Sequence, residues 1–329
     1  MKKTIMTSFV ALALSASAWA DFPTKDIQGI IQWGAGGSTD TVMRSVTPHV
    51  EKELGKSIVL SNRTGGVGVI AMRYVESRRA DGYTLLMGAE NPQMYKVLGL
   101  ADVDYNDMVP INLLARGIPM FVANNDAPYN TMSEMVEYAK ANPGSVKVGS
   151  TGTGGLTSIV LAMLESQVSI ELTNIPYDGD GPALTALQGG AIDIMPAVLG
   201  AAIEHVRAGR MKVIGLVDTA SHPVLPGVAP ITDEFPGFKD YLPWGPFFGV
   251  FVKKGTPDAA VDTLVNAFNK GAQHPEFVEL MENRGFIIMN ASGKEAEDFL
   301  SSYRSVSSWV VHEAGFSKHS PEEYGIPKP

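Results

Sequence analysis

Gly34-Ala35-Gly36-Gly37-Ser38-Thr39-Asp40 lies directly behind the apolar run Ile27 to Trp33 and opens a segment in which Val42, Met43, Val46 and Val50 recur at helical spacing. The pattern predicts a strand, a glycine turn and a helix start. Glycine lets the backbone approach a ligand closely, and the first helical turn leaves amide N–H groups unpaired at the positive end of the dipole, so such a turn suits an anion. A second copy, Gly152-Thr153-Gly154-Gly155-Leu156-Thr157, stands in the same strand-turn-helix setting. That repetition raises the pattern above a turn that uses glycine for geometry alone.

Upstream of the first copy the chain reads as an export signal over residues 1–20. Lys2 and Lys3 form a basic start, Ile5 to Leu14 a short apolar core, and Ala18-Trp19-Ala20 a small-x-small cleavage site, so the mature chain would begin at Asp21. The apolar core falls short of the 18 or so residues a membrane anchor needs. The formal net charge of −9 becomes more negative once the two lysines leave, which describes an acidic, soluble protein. The chain contains no cysteine, so disulfides, thiolate metal sites and cysteine nucleophiles are excluded. Without a lysine or arginine cluster interleaved with aromatics, no nucleic-acid partner is expected. A basic amphipathic membrane helix is equally absent from the pattern.

Downstream, short apolar runs alternate with helical segments. Ile27 to Trp33, Ser57 to Leu60 and Tyr83 to Met87 predict strands, separated by helices around Thr41 to Leu54 and Ile70 to Arg78. The alternation indicates an α/β layer with a mainly parallel sheet. After a crossing segment broken by Pro110, Gly117 and Pro119, the organisation repeats around the second glycine turn. Residues 221–246 are proline-rich and aperiodic and read as a surface excursion that leads back. The strand Phe247 to Val252 and the helices after it are expected to rejoin the first unit. The resulting division is an export signal at 1–20, a first lobe of 21–122 plus 247–329, and a second lobe of 123–246.

The chemistry left open by these turns is limited. Gly34-x-Gly36-x-x-Thr39 approximates a dinucleotide fingerprint, with Glu51 or Glu53 near the ribose distance, but the third glycine is a threonine and no acid/base set is spaced for hydride transfer. Ser38, Ser150 and Ser158 do not lie in a Gly-x-Ser-x-Gly elbow, and the six histidines are scattered, so no enzyme is indicated. Asp102, Asp104 and Asp107 lack the glycine and closing glutamate of a calcium loop, and no cofactor or metal is expected. Asp40 either caps its helix or holds a ligand hydroxyl or ammonium group. Trp33, Asn91, Gln93 and Trp244 sit at predicted strand ends or loops, where α/β sheets place ligands, though packing explains each as well.

Gln32 to Asp40 resembles the first-strand signature of the tripartite tricarboxylate transporter substrate-binding proteins, the Bug family. The resemblance continues in order through Asn62-Arg63-Thr64-Gly65-Gly66, Ala80 to Leu86, Asn91-Pro92-Gln93-Met94-Tyr95, Gly149 to Gly155, Pro176-Tyr177 with Gly181 to Leu187, Gly189 to Asp193, and Gly255-Thr256-Pro257. It implies a two-lobed periplasmic-binding-protein fold of the Venus-flytrap, type II-like kind, each lobe a mainly parallel sheet flanked by helices. It also implies a monomeric periplasmic receptor that hands a small carboxylate to membrane permease subunits. A receptor acting through a sensor kinase would use the same pocket. By position, the pincers would be Trp33 to Asp40, including Gly36 and Gly37, and Ser150 to Thr157, including Gly154 and Gly155. Ser38, Thr39, Thr151 and Thr153 are the implied side-chain donors, with Asp180, Pro196 and Ala197 bordering the far end. Two departures, Ser158 where relatives carry histidine and Pro196-Ala197-Val198 where a polar residue often follows the strand, fall near positions that discriminate ligands.

Overall fold

The computed structural model describes residues 22–329; the export signal read over residues 1–20 lies outside them. In chain order the first lobe runs β1 (Ile27–Ile31), α1 (Ser38–Leu54), β2 (Ile58–Asn62), α2 (Val69–Glu76), β3 (Thr84–Ala89), α3 (Tyr95–Leu98) and β4 (Met108–Arg116). The second holds β5 (Pro119–Ala123), α4 (Met132–Ala141), β6 (Lys147–Ser150), α5 (Leu156–Glu165), β7 (Thr173–Pro176), α6 (Asp180–Gln188), β8 (Ile194–Val198), α7 (Leu199–Arg207) and β9 (Lys212–Leu216). The chain then returns through β10 (Phe247–Lys253), α8 (Asp258–Ala272), α9 (Pro275–Asn283), β11 (Ile287–Ala291) and α10 (Gly293–Glu313).

The apolar periodicity does what it predicts. Val42, Met43, Val46 and Val50 form the buried stripe of α1, which ends at Gly55 in a left-handed cap. β1 and β3 are buried almost throughout, as inner strands covered on both faces must be.

The sheets are mixed, which corrects the expectation of mainly parallel ones. The first has the order β11-β4-β10-β3-β1-β2 and the second β7-β6-β8-β5-β9. β1 runs parallel to β2 and β3, whereas β10 is antiparallel to both β3 and β4, and β11 to β4. The reason is topological: the chain re-enters the first sheet from the second lobe, starting at the cleft where β3 ends, so β10 has to run the other way. In the second sheet β6 is parallel to β7 and β8, while β5 is antiparallel to β8 and β9.

The chain first passes between sheets at Gly117 and Ile118, because β5 pairs entirely within the second sheet. That is a few residues earlier than a boundary at 122/123. It passes back just before Phe247, and the two crossings lie against each other, the Gly117 amide donating to the Pro246 carbonyl at 2.7 Å. Residues 221–246 are irregular, but they are not a surface excursion: Ile231, Phe235, Phe238 and Trp244 are buried, and the Trp244 indole N–H donates to Ser307 Oγ at 3.1 Å.

This arrangement brings the carboxyl ends of β1, β3, β6 and β8 to one cleft between the lobes. α1, α5 and α7 begin there too, the position at which open α/β sheets hold ligands.

Candidate functional site

At the centre of the cleft is a cavity of ≈ 30 Å³, room for about two water molecules. Its walls come from both lobes. Trp33, Gly37, Ser38, Thr39, Ala89 and Glu90 face it from the first, Thr151, Leu156, Gly179, Asp180 and Val198 from the second, and Pro246 and Phe248 from the returning crossing. It adjoins a wider mouth of ≈ 570 Å³ that shares Trp33 and Thr151 and adds Gly65 to Val67 and Tyr177-Asp178.

Four helices start at this cavity, capped by Gly37 (α1), Gly155 (α5), Gly179 (α6) and Val198 (α7), and none of the four caps supplies a side-chain hydrogen bond. These helix heads bring the positive ends of their dipoles to the cavity wall, although the Leu199 amide of α7 is taken by the Ile118 carbonyl at 2.8 Å. One occupant is part of the chain. Asp180, from the second lobe, accepts a hydrogen bond from Ser38 Oγ in the first at 2.7 Å, and its carboxylate is also reached by the Ser38 and Val198 amides. Burial raises the Asp180 pKa, and these three donors pull against that rise.

Glu90 follows directly on β3 and is fully buried. Its Oε1 accepts from Asn91 Nδ2 at 3.0 Å, while Oε2 has no partner among the described residues. Desolvation by burial is the main reason its pKa is pushed up to about 8; the nearby Asp180 adds to the rise, and the Glu90 amide and Asn91 oppose it.

Asn91 ties the two lobes together. Its Oδ1 accepts from Gln32 Nε2 at 3.0 Å and Trp33 Nε1 at 3.2 Å, and its Nδ2 also donates to the Gly154 carbonyl of the other lobe at 3.0 Å. The lobes are closed on each other by this bond, by the Ser38–Asp180 contact, and by the Gly34 amide donating to the Asp178 carbonyl at 3.0 Å. Thr64 Oγ1 donates to Asp178 Oδ2 at 3.2 Å on the same seam.

Of the residues read from the sequence, Trp33, Gly37, Ser38, Thr39, Thr151 and Asp180 meet at the cavity. The others support it or stand apart. Asp40 is buried with its carboxylate taken up by the Gly36 amide (3.0 Å), Arg44 Nε (2.8 Å) and Asn62 Nδ2 (2.9 Å), so it fixes the first glycine turn. Gly36, at φ +77°, supplies the left-handed residue of that turn. Ser150 and Thr157 hold the second turn through the Gly152 and Thr151 amides, and Gly155 caps α5. Gly154 packs on Leu98. Thr153 points to solvent. Pro196 and Ala197 lie inside β8, paired with Phe121 and Met120, and Ala197 faces the apolar layer away from the cleft; Val198 is the residue of that strand that reaches the cavity.

Ala89, Glu90, Pro246 and Phe248 are wall residues that sequence reasoning missed, whereas Leu156 lies within the expected second pincer and Val198 beside the expected Pro196-Ala197. A signal existed for Glu90: a carboxylate just past the carboxyl end of an apolar strand, where ligands sit. For Phe248 none did, because its place depends on how β10 returns.

Among the described residues, one group of side chains outside the cleft has metal-ligand chemistry. His49, His274 and Glu276 offer atoms within 4.8 Å of one another. The two rings stack at 3.8 Å with 14° between their planes, and the His274 side chain accepts from the Glu276 amide as the cap of α9. The arrangement is that of a packing contact between α1 and α9.

A closed pair of α/β lobes around a shared cavity lined by helix heads defines a solute-binding protein of the periplasmic type. The chain belongs to the tripartite tricarboxylate transporter receptor family, whose pattern it matches over residues 42–315. It is 30% identical over 314 residues to a UPF0065 protein of Bordetella pertussis, covering 93% of this chain and 95% of that one. It is 28% identical over 322 residues to protein BugT of the same organism, covering 94% and 95%. The structure of the periplasmic binding protein BugD superposes with a TM-score of 0.84 at 26% identity, covering 90% of this chain and 99% of that one. MatC of Rhodopseudomonas palustris with bound malate gives 0.81 at 26% identity, covering 88% and 100%. Among the described residues no helix is long and apolar enough to cross a membrane.

Proposed function

We propose that this protein captures a small organic carboxylate in the inter-lobe cleft of a monomeric, exported chain, and delivers it to the permease subunits of a tripartite transporter without chemical conversion. Asp180 carries the reading. The Asp180 carboxyl in this cavity is held by the Ser38 hydroxyl at the heads of α1 and α7, with no lysine, arginine or histidine among the described wall residues. A solute carboxylate would receive the same treatment at the head of α5, next to the Thr39 and Thr151 hydroxyls. Malate bound to MatC, a protein 26% identical to this one, supports the ligand class. The cavity of ≈ 30 Å³ is too small for such a solute in the closed state, so uptake requires the lobes to part at their paired crossings.

A thermal-shift series tests this, because a ligand that binds only the folded state raises apparent stability. Succinate, malate, glutarate and their amino counterparts are compared with nicotinamide and its dinucleotide. At least one carboxylate should raise the melting temperature in a saturable way. A response confined to the nicotinamide compounds would favour the dinucleotide alternative and sink the receptor reading.

A further inference from the structure

The walls of the cleft carry an unusual charge balance for an anion receptor. Glu90 and Asp180 face the inner cavity and Asp178 the mouth, and no lysine, arginine or histidine among the described residues lines either space. The heads of α1 and α7 already face the Asp180 carboxyl, which Ser38 Oγ binds at 2.7 Å. Glu90, only 2% exposed, keeps one oxygen without a hydrogen-bond donor among the described residues. At neutral pH burial holds the unliganded Glu90 as the neutral acid, and a cationic donor that arrives with the ligand displaces that proton and completes the oxygen. Trp33 and Phe248 add two aromatic rings to the same walls, and ring faces attract cations.

A plain dicarboxylate would bring two further negative charges into this setting with nothing to balance the second. A solute with one negative and one positive end fits both halves of the site.

We infer that the cleft is built for a zwitterionic solute, its carboxylate docked at the head of α5 and its protonated amine held between Glu90 and Asp180 against Trp33 and Phe248. This rests on the carboxylate reading above and adds the second end of the ligand. Glu90 is then the specificity-determining residue, and Asn91, which fixes Glu90 Oε1, is its positioning residue. Asp178 at the mouth favours the approach of the same positive end.

The test is calorimetric titration of the full mature chain with pairs that differ at one end only, succinate and β-alanine, and glutarate and γ-aminobutyrate, with putrescine as a carboxylate-free control. At least one amino member should bind about tenfold or more tightly than its partner, as loss of a charge-assisted contact predicts. E90Q keeps an acceptor for Asn91 but presents an amide that cannot ionise where the wild-type carboxyl gives up its proton to the ligand's positive end. It should lose that preference by about tenfold or more while dicarboxylate binding holds or improves. D180N should act in the same direction and serves if E90Q does not fold.

Dicarboxylates that bind the wild-type chain as tightly as their amino counterparts would overturn the inference and leave the carboxylate reading standing. Binding of putrescine with no response from any carboxylate would overturn both. Silence from every amino member also overturns the inference, whatever the dicarboxylates do.

Discussion

Gly181 separates closure from folding. It is the second residue of α6, in the second lobe, and carries no left-handed backbone, so alanine there is locally acceptable and even favoured by helix propensity. A Cβ at this position, however, would stand 2.2 Å from the Ala35 carbonyl oxygen, 3.0 Å from the Gly37 amide nitrogen and 3.1 Å from the Gly36 carbonyl carbon, all backbone atoms of the opposite jaw. Restoring an ordinary contact requires the jaws to separate by about 1 Å, since non-bonded atoms settle near 3.5 Å. Overpacking of this kind costs about 1–3 kcal/mol. Here it falls on the closed state alone, because in an open molecule the new methyl group meets solvent. G181A is therefore expected to melt at the wild-type temperature or slightly above, and to bind its best carboxylate roughly 5- to 150-fold more weakly. G37A is the matched control. Its Cβ would meet neighbours at 3.4 to 3.6 Å, ordinary contact distances, and its affinity should stay near that of the wild type. Thermal melts, calorimetric titration and small-angle scattering with and without ligand make the comparison. If folded G181A bound as tightly as wild type and contracted equally on binding, the seam between α6 and the first glycine turn would not be the closure contact.

Two further substitutions test the interior of the site. Glu90 has an ordinary carboxyl pKa near 4.5 when unfolded and about 8 when folded, so between those values the folded chain holds a proton that the unfolded chain has lost. Stability should accordingly fall as pH rises through that window, by up to about 1.4 kcal/mol per pH unit from this residue. E90Q, which cannot ionise, should gain on wild type across the same range in urea melts, and parallel pH profiles would refute the burial argument. G154A should lose about 1 kcal/mol or more, because Gly154 sits at φ +85°, whereas the 2.2 Å approach of its Cβ to Leu98 Cδ1 lies across the cleft and falls on closure; an unchanged urea midpoint would contradict the strain.

Much of the frame is legible in the sequence because it depends on short-range patterns. The strand, glycine turn and helix at Ile27 to Val50 are written in spacing and in the conformational needs of Gly36, and the second copy at Gly152 repeats them. Direction is less local. β10 reads as an apolar strand, but its antiparallel insertion follows from the route of the chain, which no window of residues contains.

The site divides in the same way. Ser38, Thr39 and Thr151 stand beside the glycines that announce them. Thr153 occupies the same turn and faces solvent, because the turn decides which hydroxyl looks inward. Ala197 misses the cavity by the alternation of a strand, while Pro196 shares the face of Val198 but stands one pleat further from the cleft. Glu90 looks like any acidic residue after a strand until the rest of the fold buries it.

The place of β10 also orders events in time. Phe248 pairs with Ala89 on one side and Ala115 on the other, closing the gap between β3 and β4. During synthesis β3 and β4 are both complete long before Phe247 is made, while all five strands of the second sheet come from the stretch between them and β10. The second lobe can finish as a contiguous unit. The first must wait with two facing strand edges unpaired, the kind of surface that templates association between chains. A nascent chain of this topology gains from being kept extended until its last quarter has emerged.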